Sequence, residues 1–201
     1  ILMGYEPLEI VPLVLFSEFI TGLLAALMHH KKGNVNFQKN SIELKIASIL
    51  TTCSILGTVA ASYLAITLNK EIIKLYIAIL LIIIGFSSFI GFRRKHKFSW
   101  KKVLGLGLLG SFNKGISGGA YGPLVVGGQL LSGIGSKSAV GITSLSEGLT
   151  CLVGVISYLF MNGLNFNYTL GLALLSGAVL SIPVSVNLVA LIKENNLKLI
   201  W

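Results

Sequence analysis

The chain has 201 residues, 54% of them hydrophobic and 11% charged. A soluble domain carries about a quarter charged residues, so the composition excludes an ordinary soluble enzyme or binding module. The net charge of +9 would point to nucleic acid in a soluble protein. Here most Lys and Arg lie in short stretches between apolar runs, so membrane topology accounts for them and no nucleic-acid partner is expected.

The apolar runs are about 20 residues long, enough for a helix to cross about 30 Å of hydrocarbon. The short alternating strands of a barrel are absent. The expected fold is therefore an all-α polytopic membrane protein. Residues 1–7 form a short polar entry. A first span covers Leu8–His30, with Pro12 tolerable in its first turn and Glu18 and Thr21 near its centre. His29 and His30 end it and read as interfacial polar residues. A lysine-bearing loop leads to a second span, Leu44–Leu68, whose Ser54, Gly57, Ala61 and Ala65 form a small-residue face suited to close helix contact. The third span, Ile72–Phe92, is almost all Ile and Leu and is expected to face lipid.

The run Arg93–Lys102, RRKHKFSWKK, has six Lys or Arg in ten residues and reads as a cytoplasmic loop. Val103–Leu131 follows, apolar but broken repeatedly by glycine, with Lys114 in its middle. A further span, Ser138–Met161, carries Glu147 and Thr150. An uncharged loop then leads to Tyr168–Ile192, kinked by Pro183, and the tail 193–201 resembles the start of another helix. Cys53 and Cys151 fall inside spans and read as small packing residues, since no disulfide or zinc spacing is present.

Ser17-Glu18-x-x-Thr21 recurs as Ser146-Glu147-x-x-Thr150, and at the same offset Asn36-Phe37 recurs as Asn165-Phe166. Leu56–Leu75 then tracks Leu180–Leu199. This predicts two repeats, 1–92 and 103–201, joined by the basic loop 93–102. The loop after the first copy carries four lysines and the matching loop none, so the copies are expected to be inverted. That topology places thirteen of the sixteen Lys and Arg inside, Lys70 and Lys74 outside and Lys114 in the membrane. Both ends of 103–131 must then lie on one side, which predicts a glycine-broken, re-entrant helix hairpin. Its counterpart in the first repeat is expected before Ile1.

The run GSFNKGISGGAYGPLVVGGQLLSGIGSKSAVGITSL resembles the signature of the TauE/SafE family of sulfite-exporter-like permeases. The resemblance lies in Gly115, Gly118, Gly119, Gly122 and Pro123, then Gly133 and Ala139 to Ser144. His29-His30 and Gly33-Asn34-Val35-Asn36-Phe37 are similar to the family as well. The resemblance implies an inverted-repeat permease for sulfite or organosulfonate-type anions, working as an exporter by alternating access in a prokaryotic plasma membrane. It implies a small anionic solute and surrounding lipid as partners, and is compatible with a homo-oligomer.

An anion at membrane depth needs positive charge or oriented N–H groups, and a half-helix N-terminus supplies them. The expected solute-binding set is Asn113, Lys114, the backbone of Gly118, Gly119 and Ala120, and Ser144. Thr143, Ser146 and Gln129 could add hydroxyl or amide contacts, and Tyr121 could gate the site or pack. Glu18 and Glu147 are the expected proton-coupling pair, because a mid-bilayer carboxylate is costly and usually functional. No nucleophile–base pair, metal constellation or nucleotide-binding loop is visible, so neither enzyme activity nor a cofactor is expected. Two other readings remain open at this point: a carrier or channel for another solute, such as a cation held by the two glutamates, and a non-transporting membrane subunit.

Overall fold

A computed structural model describes residues 7–90, 99–119, 121–162 and 167–193. These form α1 (Pro7–Lys31), α2 (Ile42–Thr67), α3 (Lys70–Ile90), α4 (Trp100–Ser117), α5 (Tyr121–Leu131), α6 (Ser136–Asn162) and α7 (Tyr168–Leu191). The protein is an all-α polytopic membrane protein. Among the described residues, α1, α2, α6 and α7 are long and apolar enough to cross a bilayer. Glu6, the basic run from Arg93 to Phe98, residues 163–166 and the tail 194–201 lie outside the described residues, as does Ala120.

Local chemistry sets the helix ends. Ser41 caps α2 by accepting the Leu44 N–H, and Asn167 caps α7 by accepting that of Leu170, each satisfying an otherwise orphaned donor. Pro12 lies inside α1 rather than in its first turn, because the helix already starts at Pro7. α1 continues through it with one intrahelical bond fewer.

Small residues set the helix crossings. α2 and α4 run in the same direction, with Leu50 beside Gly107 and Ala61 beside Gly115; a Cβ on Gly115 would lie 2.6 Å from Ala61 Cβ. The face of α2 that bears Ser54, Gly57, Ala61 and Ala65 is buried. α1 and α6 run antiparallel and meet at Gly22 and Gly148. A Cβ on Gly22 would lie 2.8 Å from Gly148 Cα and 2.9 Å from the Ser144 carbonyl oxygen. Only hydrogen fits there, which lets the backbones approach as closely as packing in lipid favours.

The chain reverses at Gly118, whose φ of 71° is left-handed and suits glycine. α5 then packs back along α4: a Cβ on Gly110 would lie 2.8 Å from Val125 Cγ2. The outer ends of the α4–α5 pair therefore lie at the same end of the bundle. That end also carries Lys31, Lys32, Lys39, Lys45, Lys101, Lys102, Lys137 and Lys193, while Lys70 and Lys74 lie at the other.

α3 and α7 flank this core. α3 exposes Ile72, Leu75, Ile79, Ile82 and Ile83, and α7 buries only Ile182 and Val186. Two side-chain bonds hold α7 near its C-terminus: Asn34 Nδ2 donates to the Val186 carbonyl at 3.3 Å and Lys137 Nζ to that of Ala190 at 2.6 Å. His29 is buried by the protein itself. It is 3% exposed, with Nδ1 2.9 Å from Asn34 Nδ2, because the turn after α1 folds over it.

Gly22→Ala should cost about 1–3 kcal/mol by overpacking. Gly177→Ala, where a Cβ meets nothing within 4 Å, should be neutral or stabilising by up to about 1 kcal/mol. Thermal unfolding in detergent checks this, and equal midpoints for the two variants would refute the α1–α6 contact.

Candidate functional site

Lys114 lies on α4, four residues before the reversal at Gly118, and is 1% exposed. An unpaired ammonium buried to this degree costs several kcal/mol. Two carboxylates meet it: its Nζ donates to Glu18 Oε2 from α1 and, at 2.8 Å, to Glu147 Oε1 from α6. The two glutamates singled out by the repeat therefore converge on the lysine of the glycine-rich segment. One positive and two negative groups give a net charge of −1 when all are ionised.

Two further groups attend the carboxylates. The Cys151 thiol, read from sequence as packing, is fully buried and donates to Glu18 Oε2 at 3.7 Å. The N-terminus of α5 approaches Glu147, whose Oε2 lies 3.7 Å from the position of a Cβ on Gly122. A helix N-terminus carries about half a positive charge, so the carboxylate lies between two positive features, the α5 terminus and Lys114.

The carboxylates also face open space. A cleft of about 200 Å³ between α1, α6 and α7 is lined by Glu18, Thr21, Ser144, Glu147, Ser181 and Ile182, among others. The Glu18 and Glu147 side chains are 36% and 22% exposed, while Lys114 is sealed behind them. The hydroxyls of Thr21, Ser144 and Ser181 each donate to a carbonyl of their own helix, so they present oxygen lone pairs to the cleft.

The other expected binding residues are placed differently. Asn113 is nearly buried, and its Oδ1 accepts from the Tyr76 hydroxyl. The Gly118 N–H donates to the Lys114 carbonyl at 2.9 Å, closing the helix, and the Gly119 N–H donates to Ser117 Oγ at 3.1 Å. These tip donors are thus already engaged. Thr143, Ser146, Gln129 and Tyr121 do not line the cleft and are buried around α5 and α6. Among the described residues no group of three or more His, Cys, Asp or Glu could hold a metal.

The family described as sulfite exporter TauE/SafE matches residues 1–201. The chain belongs to this family of membrane transporters. No curated protein and no solved structure matches it.

Glu18→Gln or Glu147→Gln alone leaves Lys114 one carboxylate and should cost about 1–2 kcal/mol. The double variant strands the lysine and should cost about 3–5 kcal/mol or force it neutral. Unfolding midpoints of the three variants test this; purely additive losses would show that Lys114 does not depend on the pair.

Proposed function

We propose that this TauE/SafE member exports small sulfur-containing anions of sulfite or organosulfonate type across a prokaryotic plasma membrane. It works by alternating access and is proton-coupled through Glu18 and Glu147. The observation that carries the reading is the capture of Lys114 by both carboxylates at the wall of a cleft. In this reading Glu147 acts as an internal anion, occupying the two features that would otherwise attract a solute anion: the Lys114 ammonium and the N-terminus of α5.

With both carboxylates ionised the cluster is negative and repels an anion. Each proton taken up by Glu18 or Glu147 removes one negative charge and releases part of Lys114. Protons and anion therefore bind together and cross in the same direction. Asn113, Lys114, Ser144 and the backbone of Gly118, Gly119 and Ala120 form the solute-binding set, the tip N–H groups joining when their local bonds open. The opposed directions of α1 and α6, and of α2 and α7, support an inverted repeat in which each half contributes one glutamate. The common end of α4 and α5 supports their reading as a re-entrant hairpin, with the lysine-rich end cytoplasmic.

A cation carrier is the second reading, favoured by the negative charge of the cleft wall. Transport by the protein in proteoliposomes under an imposed pH gradient separates the two. Sulfite, thiosulfate, sulfoacetate, sulfate and a non-sulfur carboxylate form the panel. Saturable movement of a sulfur anion is expected, with Lys114→Ala at least about tenfold slower, as loss of a charge-assisted contact implies. Glu147→Gln should flatten the pH dependence. If folded protein moves none of the anions, the substrate assignment fails and cations are tested next. If Glu18→Gln and Glu147→Gln both keep the wild-type pH profile, proton coupling through this pair is wrong.

A further inference from the structure

The turn after α1 forms a second cavity, away from the cleft. Its volume is about 270 Å³, and it lies at the lysine-rich end, between that turn and the starts of α2 and α6. Its lining includes His30, Gly33, Asn34, Asn36, Glu43 and Ser138. None of these residues lines the cleft. One water takes up about 30 Å³ of liquid, so the space suits a small organic molecule better than a single ion.

Several polar groups of this lining are in place but not engaged. Asn34 is 4% exposed. Its Nδ2 is engaged twice, with His29 Nδ1 at 2.9 Å and with the Val186 carbonyl at 3.3 Å. A carbonyl only accepts, so Val186 fixes which end of the amide is Nδ2. Oδ1 is what remains for the cavity, and among the described residues nothing donates to it. His30 Nδ1 is held by the turn, 3.2 Å from the Phe37 nitrogen and 3.3 Å from the Val35 carbonyl oxygen, so Nε2 is its remaining nitrogen. Ser138 lies in the first turn of α6, where backbone N–H groups lack intrahelical partners. Its hydroxyl has no partner among the described residues. Glu43 lies in the first turn of α2, where the helix dipole favours an acid. Among the described residues no side chain pairs with its carboxylate.

Charge narrows what fits. Among the described residues Glu43 is the one acid at an end that carries eight lysines. A bare anion in the cavity would meet the Glu43 carboxylate, and a bare cation would meet the field of the lysines. We propose that this cavity is a binding site for a small zwitterion of the amino-acid class, separate from the cleft that admits the transported solute. Its ammonium donates to the Glu43 carboxylate and Asn34 Oδ1. Its acid group accepts from the Ser138 hydroxyl, the first-turn N–H groups of α6 and His30 Nε2.

Isothermal titration calorimetry on the protein in detergent tests this, with glycine, alanine, acetate and methylammonium as probes. Saturable binding of glycine or alanine is expected, at least about tenfold tighter than that of either single-charge probe. Glu43→Gln should weaken it at least about tenfold, as loss of a charge-assisted hydrogen bond implies, and Ser138→Ala about threefold. Ser181→Ala, in the cleft, should leave it unchanged. Thermal unfolding checks that each variant is folded. The absence of saturable binding for both amino acids would overturn the proposal. So would acetate or methylammonium binding as tightly as glycine, because one charge alone would then be recognised. An affinity that Glu43→Gln and Ser138→Ala leave unchanged, or that Ser181→Ala lowers in their place, would put the ligand outside this cavity and overturn it as well.

Discussion

A lysine ammonium cannot be left alone inside an apolar helix bundle. Lys114 therefore imposes conditions on three helices at once. α1 must deliver Glu18 and α6 must deliver Glu147 to the same point, which requires the two helices to cross closely. The Gly22–Gly148 contact lies next to the glutamates on both helices, four residues from one and one from the other. Small residues and charge are thus parts of one arrangement: glycine permits the approach and the ion cluster makes the approach necessary.

The same reasoning explains the break in the third pair of helices. If α4 continued straight past Ser117, no helix N-terminus would face Glu147. The left-handed turn at Gly118 instead brings the start of α5 to that carboxylate. The carboxylate then has a cation on one side, a helix dipole on another and the cleft on a third.

Much of this architecture was legible in the sequence. The all-α fold of long apolar helices was legible from apolar run length, and the small-residue face of α2 was visible as a spacing; run length gave 103–131 as one stretch, and its glycines marked the break between α4 and α5. The repeat of Ser-Glu-x-x-Thr singled out Glu18 and Glu147. What hydropathy does not encode is helix rotation about its axis, so their shared contact with Lys114 came only from the structure. For the same reason the sequence did not show that Cys151, which packs in the core, also meets Glu18, or that the turn after α1 buries His29. The N–H groups of Gly118 and Gly119 read as free because a glycine run marks a bend without saying which bonds close it. The separation of Ser144 from Thr143 and Ser146 also follows from rotation: at 3.6 residues per turn they lie about 100° and 160° away from it around α6, while Gln129 lies on α5 against Thr143.

The anchoring of α7 has a mechanical consequence. Two side-chain bonds, from Asn34 to Val186 and from Lys137 to Ala190, lie within its last six residues, and the helix also rests along α1. The distance from Val186 to Tyr168 is about 27 Å, so a tilt of about 10° about the lysine-rich end would displace the other end by about 5 Å. Ala178, Ser181 and Ile182, which close one side of the cleft, sit partway along that length. A modest rotation of this kind would widen the cleft without disturbing the ion cluster beneath it.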